Sequence, residues 1–204
     1  MIGMLAASGH KDVESEFIVK GGATLERHLG NNETLARIRD GKWDIVILQE
    51  QSQTPALPGS HGVAFQENAD KLCKLIRDAG AEPAFYMTWG RRDGDEKNKK
   101  IFPDYGTMQK LLIEAYVEAG KRNKALVIPV GEVWSKVRKE NEGLGRALYK
   151  GDGSHPSAKG ACLVSAVFLR ALFGDSLKEA PDKDHLAPEE WKVIKSAAMK
   201  VSPP

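Results

Sequence analysis

The 204 residues hold only two cysteines, Cys73 and Cys162, and they lie far apart. They form no Cys-x-x-Cys pair and no Cys/His cluster at zinc spacing, which argues against a structural zinc site. Each falls in an apolar helical pattern and reads as a buried free thiol. An excess of one charge is also missing. Thirty Lys and Arg against 28 Asp and Glu leave a net charge of +2. That gives no global electrostatic case for nucleic acid or an anionic membrane surface. No apolar run approaches the roughly 18 residues of a membrane span. The opening Met1-Ile-Gly-Met-Leu-Ala-Ala-Ser8 has no basic stretch and is too short for a secretory signal. Taken alone, these residues point to the cytoplasm. There is no internal repeat, low-complexity tract or linker, and the full nucleotide-binding glycine fingerprint is absent.

What remains is an ordinary globular composition, 41% hydrophobic and 28% charged, which excludes wholesale disorder and a fibrous rod. The length fits a single domain over 1–204. A chain of this size buries roughly 70% of its unfolded surface and needs no metal or disulfide staple.

Short apolar runs alternate with helical patterns. Val13 to Val19 alternates and then turns apolar, which predicts a strand. Gly21-Gly22-Ala23-Thr24 breaks it, and short helices follow over 25–29 and 33–39. Trp43 to Leu48 is apolar on both faces, as in a strand inside a parallel sheet. Residues 49–62 read as a long loop, with Pro55, Pro58, Gly59 and Gly62. Helical spacing covers 63–79, a strand 84–88, a charged surface loop 90–106, a helix 108–119 and a strand 126–130. Further helices are expected over 133–140, over 156–173 with Pro156 in the first turn, and over 191–201. This β-loop-α alternation predicts α/β: a parallel sheet covered by helices on both faces.

Function in such sheets collects at the carboxyl ends of the strands. The most informative segment is the late loop Lys150-Gly151-Asp152-Gly153-Ser154-His155-Pro156. A Gly-rich turn closed by proline can place Asp152 and His155 on one side. The carboxylate then holds one imidazole nitrogen and leaves the other as a general base. The spacing alone also fits an aspartate in a plain turn and a capping histidine. Two other strand ends stand out, Gly21-Gly22 and Gln49-Glu50-Gln51-Ser52. Lys20 and Glu50 flank them and could tune the charge there. Trp89 ends a strand and could stack on a sugar ring or sit in the core. Arg91 and Arg92 could meet an acidic substrate or be surface charges. His61 reads as a loop residue and His28 as a helix-surface residue.

The order of these segments resembles the SGNH hydrolases, the GDSL-type lipase and esterase superfamily, over residues 13 to about 174. It is similar in particular to a bacterial branch with Leu-Gln-Glu-Gln-Ser in place of Gly-x-Asn-Asp. The resemblance implies a flavodoxin-like α/β/α sandwich that hydrolyses esters with a Ser-His-Asp triad and no metal or cofactor. It gives His155 the role of base and Asp152 that of its orienter. Gly22, through its backbone N–H, and Gln51, through its side-chain amide, become the oxyanion donors. Glutamine for asparagine keeps the donor amide but adds a methylene.

The family's first block, a strand followed by Gly-x-Ser, has no match before Gly21. Ser8 sits at an expected helix end and is rejected as nucleophile. A literal Gly174-Asp175-Ser176-Leu177 occurs, but no apolar strand leads into it and Lys178-Glu-Ala-Pro181 is a poor helix start. In the flavodoxin order the first strand lies between the second and third. Its loss leaves inner edges unpaired, at a cost in buried amides. The expectation is therefore that Met1 is not the true start, and that the 204 residues alone are inactive on esters. A signal peptide further upstream would make the protein secreted or periplasmic. The substrate implied is a small-molecule or carbohydrate ester, often an acetyl ester on sugar. The alternative is a non-catalytic descendant that binds carbohydrate through Trp89 and loop 49–62. Neither nucleic acid nor a membrane span is expected, and the oligomeric state is left open.

Overall fold

A computed structural model of the chain describes residues 12–174, 177 and 185–202. They form two compact units. One, the sheet unit, comprises residues 18–90 and 94–128. The other, the helical unit, comprises 91–93, the described residues from 129 onward, and 12–17.

The sheet unit holds three parallel strands, β1 (Ile45–Leu48), β2 (Glu82–Tyr86) and β3 (Leu126–Ile128), in the order β1-β2-β3. Ile45 lies opposite Glu82 and Leu48 opposite Phe85, while Ala84 lies opposite Leu126 and Tyr86 opposite Ile128. The fold class is thus α/β with a parallel sheet, as the alternation predicted. Pro83 is tolerated in the central strand for a local reason. Glu82 donates its N–H to Asp44 O on the β1 side, at 2.9 Å. Donors alternate sides along a strand, so position 83 would point its N–H toward β3. The ladder with β3 begins only at Ala84, and no bond is lost.

Short helices α1 (Leu25–Leu29) and α2 (Asn32–Asp40) precede β1. The crossovers are α3 (Ser60–Asp78), between β1 and β2, and α4 (Tyr105–Asn123), between β2 and β3. Phe65 of α3 meets Phe85 of β2 and Tyr116 of α4 edge-on, with ring centroids 6.4 and 5.3 Å apart. Both helices therefore lie on one face of the sheet, as two right-handed crossovers in the same direction require. Leu72, Cys73, Ile76, Met87 and Leu112 complete this core. Burial pushes the Cys73 thiol up to about 12, so it is an inert apolar side chain. The charged loop is anchored from within: Gln53 donates to the buried Asp95, and Asn98 donates to Gln53 Oε1 at 3.1 Å.

The helical unit contains α5 (Val130–Glu140), α6 (Glu142–Ala147), α7 (Ala158–Phe173) and α8 (Pro188–Ala198). Its core surrounds Trp134, fully buried and edge-on to Tyr149 at 5.0 Å. Lys159 of α7 and Glu190 of α8 form an ion pair. Glu190 also accepts the Ala187 N–H at 3.0 Å, which caps α8.

Several expectations need correction. Residues 13–19 are not a strand. They join no strand ladder among the described residues, and Phe17 and Val19 are 58% and 82% exposed. Alternation supplies a face, but a ladder needs a neighbour. Among the described residues β1 likewise has a partner on one side only, and Ile45, Val46 and Ile47 are half-buried. Pro156 does not open α7. Ser157 is the cap, its Oγ accepting the Gly160 N–H at 3.3 Å and donating to Ala147 O at 2.6 Å. The proline stays in the preceding turn. Helix α6 was not expected, and β2 begins two residues early. Position 61 belongs to α3 rather than to a loop. No helix of the described residues is long and apolar enough to cross a membrane.

Gly160 marks the tightest packing of α7. A Cβ there would lie 2.2 Å from Leu148 O and 2.7 Å from the Trp134 ring. Gly160→Ala is expected to cost about 2–3 kcal/mol, lowering Tm by about 5–10 °C. Gly151→Ala, with nothing within 4 Å of the new Cβ, should change stability by less than about 0.5 kcal/mol. Calorimetry of the two variants checks the contrast.

Candidate functional site

The segment from Tyr149 to Ser157 is a closed loop. Tyr149 and Pro156 bridge at its base. Lys150 N–H donates to His155 O at 2.8 Å, Gly153 N–H to Lys150 O at 3.0 Å, and Ser157 N–H to Leu148 O at 2.8 Å. Gly153 has φ +67, and a Cβ there would come within 3.4 Å of the Arg92 guanidinium. The positive φ is what favours glycine, the arginine contact being an ordinary one. Arg92 also clasps the loop through its backbone, donating to Gly153 O at 2.8 Å.

Within this loop the Asp152 carboxylate divides its labour. Oδ1 accepts the Ser154 and His155 N–H groups at 2.8 and 2.9 Å, and Oδ2 faces His155 Nδ1 at 2.8 Å. The Ser154 N–H, the His155 N–H and the imidazole, in that order, hold the carboxyl well below the usual carboxylate range. A neutral imidazole facing this carboxylate carries its proton on Nδ1, so Nε2 presents a lone pair. The His155 side chain is 73% exposed. The pair thus has the tautomer and accessibility of a general base.

In the sheet unit, Gln51 follows the end of β1. Its Oε1 accepts from Gln53 N–H at 2.9 Å, Thr54 N–H at 3.2 Å and the Thr54 hydroxyl at 3.2 Å. Two backbone donors on that atom fix which end of the amide is oxygen. The methylene that sets glutamine apart from asparagine is accommodated here. The longer arm reaches the N–H groups that open the 3₁₀ turn Thr54–Ala56. Nε2 donates to Ser52 Oγ at 3.3 Å. An amide nitrogen has two hydrogens, so a second donor remains for an incoming oxygen.

Gly22 lies in a tight turn, where Ala23 N–H donates to Lys20 O at 3.0 Å. Its φ of +68, not crowding, calls for glycine, since a Cβ would meet nothing within 4 Å. Thr24 then caps α1 through Oγ1, which accepts the Arg27 N–H at 3.3 Å.

Glu50 is a residue to which sequence reasoning gave a flanking position and a candidate part in tuning charge, with no structural role. It is 2% exposed. Oε2 accepts the Leu25 N–H at 3.0 Å and Oε1 accepts the Gln51 N–H at 2.6 Å. Burial pushes its carboxyl up, while these two N–H groups pull the other way. A signal was present: an acidic residue two positions past the wholly apolar Ile45–Leu48.

The other candidates divide. Trp89 follows β2, half-buried, its ring 6.4 Å from that of Tyr86 at a tilt of 53°. Arg92 is engaged with Asp93 at 2.8 Å, and Arg146 holds the same carboxylate at 3.0 Å. His28 is half-buried rather than a plain surface residue. Its Nδ1 lies 3.1 Å from Thr34 Oγ1, and burial lowers its pKa. His61 is exposed. Cys73 and Cys162 are both buried and unbridged. Ser8, Asp175 and Ser176 lie outside the described residues.

No family model matches the chain, and no curated protein does. Solved structures do. A candidate SGNH hydrolase from Slackia heliotrinireducens is 30% identical, with a TM-score of 0.61, covering 72% of this chain and 78% of its own. A DUF4886 family protein from Bacteroides uniformis is 18% identical, with a TM-score of 0.72, covering 88% of this chain and 79% of its own. A candidate GDSL-like lipase from Parabacteroides merdae is 14% identical, with a TM-score of 0.54, covering 73% and 68%. The last two speak for the fold alone. By its likeness to the first, the chain belongs to the SGNH hydrolases, the GDSL-type lipase and esterase superfamily.

Proposed function

We propose that this protein is a serine ester hydrolase whose general base is His155, oriented by Asp152. The observation that carries the reading is the divided Asp152 carboxylate, which fixes both the turn and the imidazole. In the proposed reaction a serine hydroxyl attacks the acyl carbon of an ester. His155 Nε2 takes the hydroxyl proton and later returns it to the leaving alcohol. Gly22 N–H and Gln51 Nε2 donate to the oxyanion. The substrate class proposed is an acyl ester on a small molecule or carbohydrate, an acetyl group on a sugar in particular. Trp89 is the proposed sugar platform, since an aromatic face suits the C–H groups of a sugar ring. No metal or cofactor enters this scheme.

The nucleophile is proposed to come from a strand and Gly-x-Ser turn outside these 204 residues. Two features support this. One side of β1 carries no strand among the described residues, and the strand-patterned residues 13–19 do not fill that edge with a ladder.

The test is to express the 204 residues and, beside them, a chain extended by the in-frame upstream codons, and to assay both on a small aryl acetate. Hydrolysis by the extended chain alone is expected. If an extended chain bearing Gly-x-Ser folds and does not hydrolyse the ester, the reading falls, and a carbohydrate-binding role replaces it. In an active chain, His155→Ala should lower kcat by about 10⁴–10⁶ and Asp152→Asn by about 10⁴. Sugar binding should survive the histidine change.

A second prediction concerns pH. A carboxyl depressed on folding stabilises the protein above its unfolded value of about 3.9, and this is lost progressively as pH falls from there through the lower folded value. The Asp152 carboxyl carbon, followed by NMR, should therefore show no titration between about pH 4 and pH 8. A step near the ordinary aspartate value would contradict the bonding described.

A further inference from the structure

We propose that Glu50 is the positioning residue of the oxyanion donors. Its carboxylate ties the turn carrying Gly22 to the strand end carrying Gln51. The inference rests on the ester-hydrolase reading above.

The geometry is a continuous run of bonds. Leu25, three residues past Gly22, is the first residue of α1. Its N–H donates to Glu50 Oε2 at 3.0 Å. The other oxygen accepts the Gln51 N–H at 2.6 Å. Gln51 Oε1 is itself pinned by Gln53 and Thr54, which sets the direction of Nε2. Glu50 thus binds one donor's segment with one oxygen and the other's with its second. Bonds to a charged acceptor are shorter and stronger than neutral ones.

The surroundings explain why the residue is a carboxylate. A buried charge is costly unless hydrogen-bonded, and the groups facing this one offer no cation among its described partners. Glu26 of α1 adds repulsion. From α4, the Tyr116 hydroxyl faces Thr88 and the Glu50 backbone. An apolar side chain would remove the burial cost. It would also release Leu25 and Gln51. An amide has one acceptor oxygen, so glutamine would turn an NH₂ donor against one of the two N–H groups. Only a carboxylate at this reach accepts from both.

The experiment compares the parent with Glu50→Gln and Glu50→Asp. Amide resonances of Leu25 and Gln51 are followed through a pH titration of the 204-residue chain, and steady-state kinetics are run on the upstream-extended chain. In the parent, both amides should titrate with one shared midpoint above the ordinary glutamate value. That shared step should vanish in Glu50→Gln and be lost from one of the two amides in Glu50→Asp, whose shorter arm cannot span both donors. In the kinetics, Glu50→Gln should lower kcat by about 10²–10³, the scale of a lost oxyanion donor, and change KM by less than about threefold. Separate midpoints in the parent, or a Glu50→Gln enzyme with kcat within twofold of the parent, would overturn the proposal. If the extended parent hydrolyses no ester, the hydrolase reading fails instead. The shared midpoint then still decides whether Glu50 couples the two segments.

Discussion

The two oxygens of a carboxylate can bind two different things, and both halves of the proposed chemistry depend on this. In the helical unit, Asp152 spends one oxygen on the Ser154 and His155 N–H groups and the other on the imidazole. Remove it, and the turn and the tautomer are lost together. In the sheet unit, Glu50 divides itself between Leu25 and Gln51. The bonding is alike and the consequence for charge is opposite. Asp152 is exposed, so its N–H partners prevail and the carboxyl is depressed. Glu50 is buried, so the loss of solvation prevails and the carboxyl is raised. Ionisation at Asp152 is secure. At Glu50 it is held against a desolvation cost, and that tension makes its protonation a useful probe of the site.

Much of the fold was legible because it depends on local pattern. The apolar Ile45–Leu48, the helical spacing of Phe65, Ala69, Leu72, Cys73 and Ile76, and the Gly174 stop each report a local preference that packing reinforces. Residues 13–19 show where this fails. Their alternation is a sound strand pattern, yet strand pairing is a property of two segments and one segment cannot declare it. Pro83 is the converse. It looks unfit for a central strand and is harmless, because the one donor it lacks falls before the ladder with β3 begins.

The candidate site was legible to a similar degree. The late Asp-Gly-Ser-His-Pro turn announces itself through spacing, and the structure brings Asp152 and His155 into direct contact. Gln51 was read through its resemblance to asparagine, which cast the added methylene as a difficulty. In the structure the longer arm is accommodated, its carbonyl accepting the Gln53 and Thr54 N–H groups and its amide nitrogen donating to Ser52 Oγ. Glu50 was passed over because its importance lies in burial and in two N–H partners, one of them 25 residues away. Arg92 read as a surface charge, or as one that could meet an acidic substrate. It proves to be engaged with Asp93 and to clasp Gly153.

The central claim, that this chain supplies the base and oxyanion donors to a serine nucleophile, is tested most directly by trapping that nucleophile. The upstream-extended protein would be treated with a fluorophosphonate and the adduct located by peptide mass spectrometry. The account predicts one phosphonylated serine, in a Gly-x-Ser turn outside the 204 residues, with labelling abolished by His155→Ala. A stoichiometric adduct on Ser52 or Ser176, or labelling indifferent to His155, would contradict it.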